Sequence, residues 1–421
     1  MDHDIPNADL ALPWDEPVDD PVGALAEARA QLGDTFVVES GGQRWWFVFG
    51  PIGVRSFYAL DERVASKGVA DWQMLRRKLP DELFVGRRTL PHELWSRHAT
   101  QSYLQALDEA IAVSFAELGD DGTMELFTWS RRLGHRMGLA SWGGVRPTHD
   151  PGFEELIDCF DRLDGAAAFV DPVGIRHVVA SGHAEERAAL AALEARFAVA
   201  VAERVTDPVD DLFGSIVDRW SDADDPERAQ GVARDVVLVH LGSMSNLFAA
   251  LGWTVGHLLL HPHIADQIRA GDRALAERCA LESTRIAQRS LMSRAVLRDV
   301  DFETDRGPSR VAKGDSIATV LALTNTTAGP GLDAYDPSRW DRRRLRDSST
   351  LAARELVATF GHGSHTCPAQ PFSLAAMVAA ASNLLNRYEL IPRFDEIRPL
   401  RGQIGGVARS DAECLVDYRG R

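Results

Sequence analysis

Lysine is almost missing from this 421-residue chain, where Lys67, Lys78 and Lys313 stand against an abundance of arginine. With heavy alanine use, that bias points to a GC-rich bacterial genome. Cysteine is scarce too. Cys159, Cys279, Cys367 and Cys414 lie far apart, which excludes CxxC metal spacing and the dense disulfide framework of small secreted domains. Excess positive charge is also lacking. A net charge of −16 argues against a nucleic-acid partner, because phosphate neutralisation needs a basic face. No uninterrupted apolar run approaches the roughly 20 residues that span a bilayer. The opening "MDHDIPNADLALPWDEPVDDP" has neither a basic n-region nor an apolar h-region. The expectation is a cytoplasmic monomer without a membrane partner, its residues 1–20 loosely ordered.

What is present suits a large globular chain. With 45% hydrophobic and 26% charged residues, there is ample material for a core. "TFVVESGGQRWWFVFG" is two β-rich runs around Gly41-Gly42, which predicts a hairpin. "PIGVRSFYALDE" begins with Pro51 at a helix N1 position. From about residue 100 to 300 the pattern is mostly helical. "RDVVLVHLGSMSNLFAALGWTVGHLLLHP" is apolar nearly all round, and a helix without a polar face is a buried one. Its His, Ser and Asn residues interrupt it too often for a membrane span. Strand-like "AVLRDVDF" and "DSIATVLAL" follow, then an arginine-rich stretch, and a closing hairpin is expected near "QIGGVARSDAECLVDYR". No repeat, linker or low-complexity segment divides the chain. One domain over 1–421, mainly α with a small β portion, is the expected organisation.

The chemistry is concentrated in "FGHGSHTCPAQPFSL" at 360–374. Gly361 and Gly363 suit a tight loop. Pro368 suits the first position of the helix that "FSLAAMVAAASNLLNRY" predicts. Cys367 is thereby placed at a helix N-terminus, where unpaired N–H groups and the helix dipole favour a thiolate. A held thiolate is a metal ligand or a nucleophile. His365 is near enough to act as a base for the second role, but no carboxylate precedes it. An axial thiolate on haem iron suits the glycine loop better, with His365 as a donor to a haem propionate. The plain alternative is a small buried hydrophobe.

This stretch resembles the haem-ligand loop of the cytochrome P450 family, Phe-x-x-Gly-x-(Arg/His)-x-Cys-x-Gly. Phe360, Gly363, His365 and Cys367 fill their positions, and Ala369 replaces the usual last glycine. Upstream, "ESTR" supplies Glu282 and Arg285 on one helix face, and "YDPSRW" supplies Arg339. The resemblance covers roughly residues 35–415. It implies a cytochrome P450 fold with haem b (iron protoporphyrin IX) between a long central helix and the cysteine-ligand loop. It further implies that Glu282, Arg285 and Arg339 form a buried charge network behind the haem. By the same resemblance Arg294 binds a propionate, and Arg97 and His98 in "HELWSRHATQ" are further propionate candidates.

In the family's monooxygenases the central helix carries an acid–alcohol pair that relays protons for O–O bond cleavage. Counting back from His261-Pro262 places Ser245 at the acid's position and Asn246 at the alcohol's. Neither titrates near neutral pH, although a hydroxyl still orders water and an amide still hydrogen-bonds. The leading expectation is a monooxygenase using O2 and electrons from ferredoxin and ferredoxin reductase. Its substrate would be a small, largely apolar organic molecule, in bacterial natural-product biosynthesis. The alternative is a haem-thiolate isomerase or dehydratase, or a peroxide-using enzyme, which needs no external electrons. A haem-binding protein without turnover is a third reading. Candidate pocket residues are Trp72, Leu75, Met244, Phe248, Ser290, Leu291 and Gly405, in a mainly apolar pocket. Arg342, Arg343, Arg344 and Arg346 of "RWDRRRLR" form a candidate docking patch for an acidic redox partner.

Overall fold

The hairpin forms as its residues require. Thr35–Ser40 pairs antiparallel with Gln43–Val48, Phe36 opposite Phe47 and Val37 opposite Trp46. Gly41 and Gly42 join them with φ of 60° and 73°, the paired positive angles of a type I′ turn. The computed structural model describes residues 5–87, 94, 97–144, 152–164 and 172–421, and in it this pair belongs to a six-stranded sheet. Across that sheet run Asn7–Ala8, Thr35–Ser40, Gln43–Val48, Ser316–Val320, Leu291–Val296 and Ala65–Ser66. Both faces are covered. Phe36, Val38 and Phe47 pack on one side with Leu12 and Leu25, and Val37, Trp46 and Val48 on the other with Phe57 and Ile317. Burial on two sides is why these strands read as continuous apolar runs.

The looseness expected of residues 1–20 does not hold for the part described, 5–20. Asn7–Ala8 adds a parallel strand beside Val37 and Val38. Leu12 is buried, and the Trp14 ring lies 4.8 Å from that of Trp45. Apolar residues at even spacing anchor the segment although acids surround them.

The helical side is organised round Asp225–Leu260, 36 residues and about 54 Å long. Asp224 caps it by accepting the Glu227 N–H at 2.9 Å. By length and composition this helix could cross a membrane, but 67% of its most apolar window is buried inside the protein. Leu126–Trp142, Ala184–Thr206, Arg273–Ala287 and Gln370–Arg387 pack against it. Glycines permit the closest of these approaches. A Cβ on Gly134 would lie 2.1 Å from the Phe248 ring, and one on Gly138 would lie 2.9 Å from that of His240.

The closing hairpin forms as a short one, Pro399 bridging Ser410 antiparallel with the Leu400 N–H donating to the Arg409 carbonyl at 2.7 Å and the Asp411 N–H to the Arg398 carbonyl at 2.9 Å, and the last strand pairs elsewhere. Leu415–Gly420 runs between Tyr388–Pro392 and Asp121–Glu125 in a three-stranded antiparallel sheet. Gly405 and Gly406, with φ of 114° and 63°, bend the chain beforehand, so Val407 makes only an isolated bridge to Gln288.

Candidate active site

Residues 360–367 fold as a loop closed on itself, the Cys367 N–H donating to the Phe360 carbonyl at 2.7 Å. Gly361 and Gly363 take φ of 80° and 60°. A Cβ on Gly361 would lie 2.3 Å from the His365 carbonyl oxygen, so only glycine fits. The following helix is Gln370–Arg387, with Ala369 at its N-cap and Pro371, rather than Pro368, in its first turn. Ala369 has φ −85° and ψ 4°, angles open to any residue, which accounts for alanine where the motif has glycine. The thiol departs from the expected lowered pKa. Burial pushes Cys367 up, and the Ala369 and Gln370 N–H groups aimed at the sulfur pull it only part of the way back.

Arg294 and His365 meet across the fold. Arg294, on Leu291–Val296, is fully buried with its guanidinium 5.2 Å from the Phe57 ring centre. It donates to His365 Nε2 at 2.6 Å, to the Ala65 carbonyl at 2.8 Å and to Glu62 at 3.1 Å. Accepting from an arginine requires a neutral imidazole, and burial, followed by the Arg294 charge, lowers the His365 pKa accordingly. Arg294 Nε has no partner among the described residues. Glu62, which no sequence motif singled out, supplies the carboxylate this donor cluster gathers.

Glu282 and Arg285 are fully buried and bonded through both carboxylate oxygens, at 2.7 and 2.8 Å. Arg339 Nε reaches Glu282 at 2.8 Å, Trp340 Nε1 at 2.9 Å and the Asp336 N–H at 3.0 Å. Arg285 also donates to the Asn325 and Leu332 carbonyls, each at 2.6 Å. The Asn325 amide in turn bonds the Arg285 and Ala358 carbonyls and accepts the Ala358 N–H at 2.7 Å. The network is thereby tied to the segment leading into Phe360. Trp340 and Asn325 are members that the motif did not name.

A cavity of about 990 Å³ lies along the central helix, with Leu75, Ser245, Asn246, Phe248, Ser290, Leu291 and Gly405 on its wall. Met244 is turned into the core, and Trp72 lies 39% exposed against the Arg76 guanidinium; neither lines the cavity. The wall is mainly apolar, as expected, with a cluster of polar and charged groups set into it. Ser245 Oγ donates to Asp164 Oδ1 at 2.5 Å, and Asn246 Oδ1 accepts the Val407 N–H at 2.9 Å. Asp164 is buried at the end of Phe153–Asp164. Lys78 lies 3.7 Å from its Oδ1, and Arg131 and Arg409 each 3.5 Å from its Oδ2. Burial pushes this carboxyl up, but Lys78 first, then the Ser245 hydrogen bond, Arg131 and Arg409 hold it below the usual range. Arg131 Nε donates to Asp161 at 2.9 Å, Asp161 meets His135 at 3.0 Å, and His135 meets His240 at 2.9 Å. Burial lowers both imidazole pKa values and keeps the pair neutral. None of these charged groups was singled out from sequence. Lys78 carried one faint signal, its rarity, while the acids end an amphipathic helix that reads equally as a solvated face.

Arg97 and His98 begin the helix Arg97–Leu118, but their side chains lie outside the described residues. Arg342, Arg343, Arg344 and Arg346 are exposed, with Arg343 paired to Glu277 at 2.6 Å.

Two curated proteins share part of this chain. A human protein named 24-hydroxycholesterol 7-alpha-hydroxylase is 24% identical over 212 residues, 44% of this chain and 43% of its own length. A protein of Gibberella zeae named Cytochrome P450 monooxygenase is 23% identical over 194 residues, 39% of this chain and 37% of its own length. The chain thus spans less than half the length of the curated relatives it matches. No family model matches it.

Proposed function

We infer that this chain, a member of the cytochrome P450 family by its fold and its similarity to the hydroxylase and the P450 monooxygenase, is a haem-thiolate monooxygenase. It oxidises a small organic molecule with O2 and electrons from a ferredoxin-type partner, in the cytoplasm of a bacterium making natural products. One observation carries the reading: the Cys367 sulfur receives the N–H groups of a helix start, in a glycine loop braced by the buried Glu282–Arg285–Arg339 network.

The residues fit haem. Arg294 already gathers the Glu62 carboxylate, and its unpartnered Nε remains for a propionate. Bound haem supplies a redox-active iron. The chain's own part is to hold the sulfur, order the propionate and set polar groups into the cavity wall. Ser245 gives its proton to Asp164, so its oxygen is left to accept; the Asn246 carbonyl is taken by Val407, so its NH2 is left to donate. Both relatives are named for inserting oxygen, which favours monooxygenation over peroxide rearrangement.

The test is spectroscopic. Protein expressed with haem supply, reduced and treated with carbon monoxide, should show the red-shifted Soret band of a thiolate-ligated haem, and Cys367→Ser should lose it. A colourless protein, or a band that survives the substitution, overturns the reading. Product formed only from an organic hydroperoxide without oxygen would overturn the monooxygenase reading alone.

A further inference from the structure

We propose that the cavity along the central helix takes a neutral secondary amide with apolar groups on both sides, its N–H accepted by Ser245 and its C=O held by Asn246. Calling that ligand a substrate rests on the monooxygenase reading; the binding itself does not.

Each of the two side chains has a fixed polarity. Ser245 Oγ lies 2.5 Å from Asp164 Oδ1. Asp164 is buried, and Lys78, Arg131 and Arg409 around it keep its carboxyl ionised. An ionised carboxylate only accepts. The hydroxyl proton therefore belongs to this bond, and the cavity meets the Ser245 lone pairs. Asn246 is fixed in the opposite sense. The Val407 N–H, a backbone donor, reaches its Oδ1 at 2.9 Å, which sets the side-chain amide one way round. Asn246 is exposed although Met244 and Leu247 beside it are buried, since the cavity opens over it. What it offers there is the NH2, a pure donor.

The surroundings favour an amide over simpler groups. Gly242 also lines the cavity, one turn before the pair on the same helix face. A Cβ there would meet nothing within 4 Å, so the space beside the two polar groups is open. Ser245 and Asn246 are drawn to different neighbours, the helix Phe153–Asp164 and the segment at Val407. A ligand lying between them meets an acceptor on one flank and a donor on the other. A trans amide is planar and directs its N–H and C=O oppositely, which answers both. A ketone or ether answers one of them, and a single hydroxyl would have to reach two consecutive side chains that diverge. Other polar groups on the wall are already engaged: Ser290 donates to Gln288 Oε1 at 2.8 Å, and Gln403 Oε1 accepts the Arg409 N–H at 2.8 Å. Leu75, Phe127, Phe248 and Leu291 supply apolar wall for the two arms.

The experiment uses the haem-loaded protein with benzanilide, phenyl benzoate and N-benzylaniline, three neutral molecules of nearly equal size. The ester lacks the N–H, and the amine lacks the C=O. Equilibrium dialysis should show benzanilide bound about tenfold tighter than either, the scale of one hydrogen bond withheld from a desolvated group. Ser245→Ala should erase the advantage over the ester and keep that over the amine. Asn246→Asp, which retains an oxygen for Val407 and loses the NH2, should do the reverse. Benzanilide that fails to bind, equal affinities across the set, or advantages that survive both substitutions overturn the proposal. So does a loss shared equally by all three ligands, the mark of a merely structural role. The carbon monoxide spectrum of the same sample separates the two ideas: a normal band with no amide preference sinks only the ligand class, and a preference without the band sinks only the monooxygenase.

Discussion

Take away the Glu282 carboxylate, and Arg285 is left charged, fully buried and facing only carbonyls. Half-removed buried ion pairs cost about 3–5 kcal/mol, so Glu282→Ala should move the denaturant midpoint far down and leave the Cys367 loop loosely braced. Glu282→Gln, which keeps the shape and part of the hydrogen bonding, should fall between. A midpoint unchanged in both would show that the network braces nothing. At this scale the sequence was readable where local spacing fixes a pair, as in Glu282 and Arg285 at i and i+3. It was unreadable where partners come from distant segments. Glu62 beside Arg294 and Asp164 beside Ser245 are ordinary acids in their own neighbourhoods, and only the fold gives them their roles.

Among the elements, Leu126–Trp142 meets the central helix through glycine. Gly134→Ala should gain up to about 1 kcal/mol in helix propensity. The new methyl would nevertheless stand 2.1 Å from the buried Phe248 ring, and such overpacking costs about 1–3 kcal/mol. The overlap wins, so the thermal midpoint should fall. Because Phe248 is on the cavity wall, ligand affinity should shift with it. A midpoint raised by the substitution would mean that the two helices part freely. The central helix itself could be read from its apolar run, and the first hairpin from Gly41-Gly42. The last strand could not, since its partners Tyr388–Pro392 and Asp121–Glu125 are chosen by long-range closure and leave no local signature. Residues 5–20 were misread for a related reason, their acids masking three apolar anchors.

Over the whole molecule, a net charge of −16 makes the exposed arginines of 342–346 a local exception. Arg343 is already offset by Glu277, which leaves Arg342, Arg344 and Arg346 as the candidate docking patch for the proposed acidic electron donor. Neutralising these three should slow reduction by a ferredoxin about tenfold at low ionic strength, with the difference fading as salt rises. Arg343→Gln alone should do less. Rates that match at every salt concentration would remove the docking role. The central helix has a consequence of another kind. Its neighbours are translated at very different times, Leu126–Trp142 long before it and Gln370–Arg387 nearly last. Until the ribosome has delivered that final helix, a flank of the central rod stays bare, and nascent chains stalled short of it are the ones chaperones should hold.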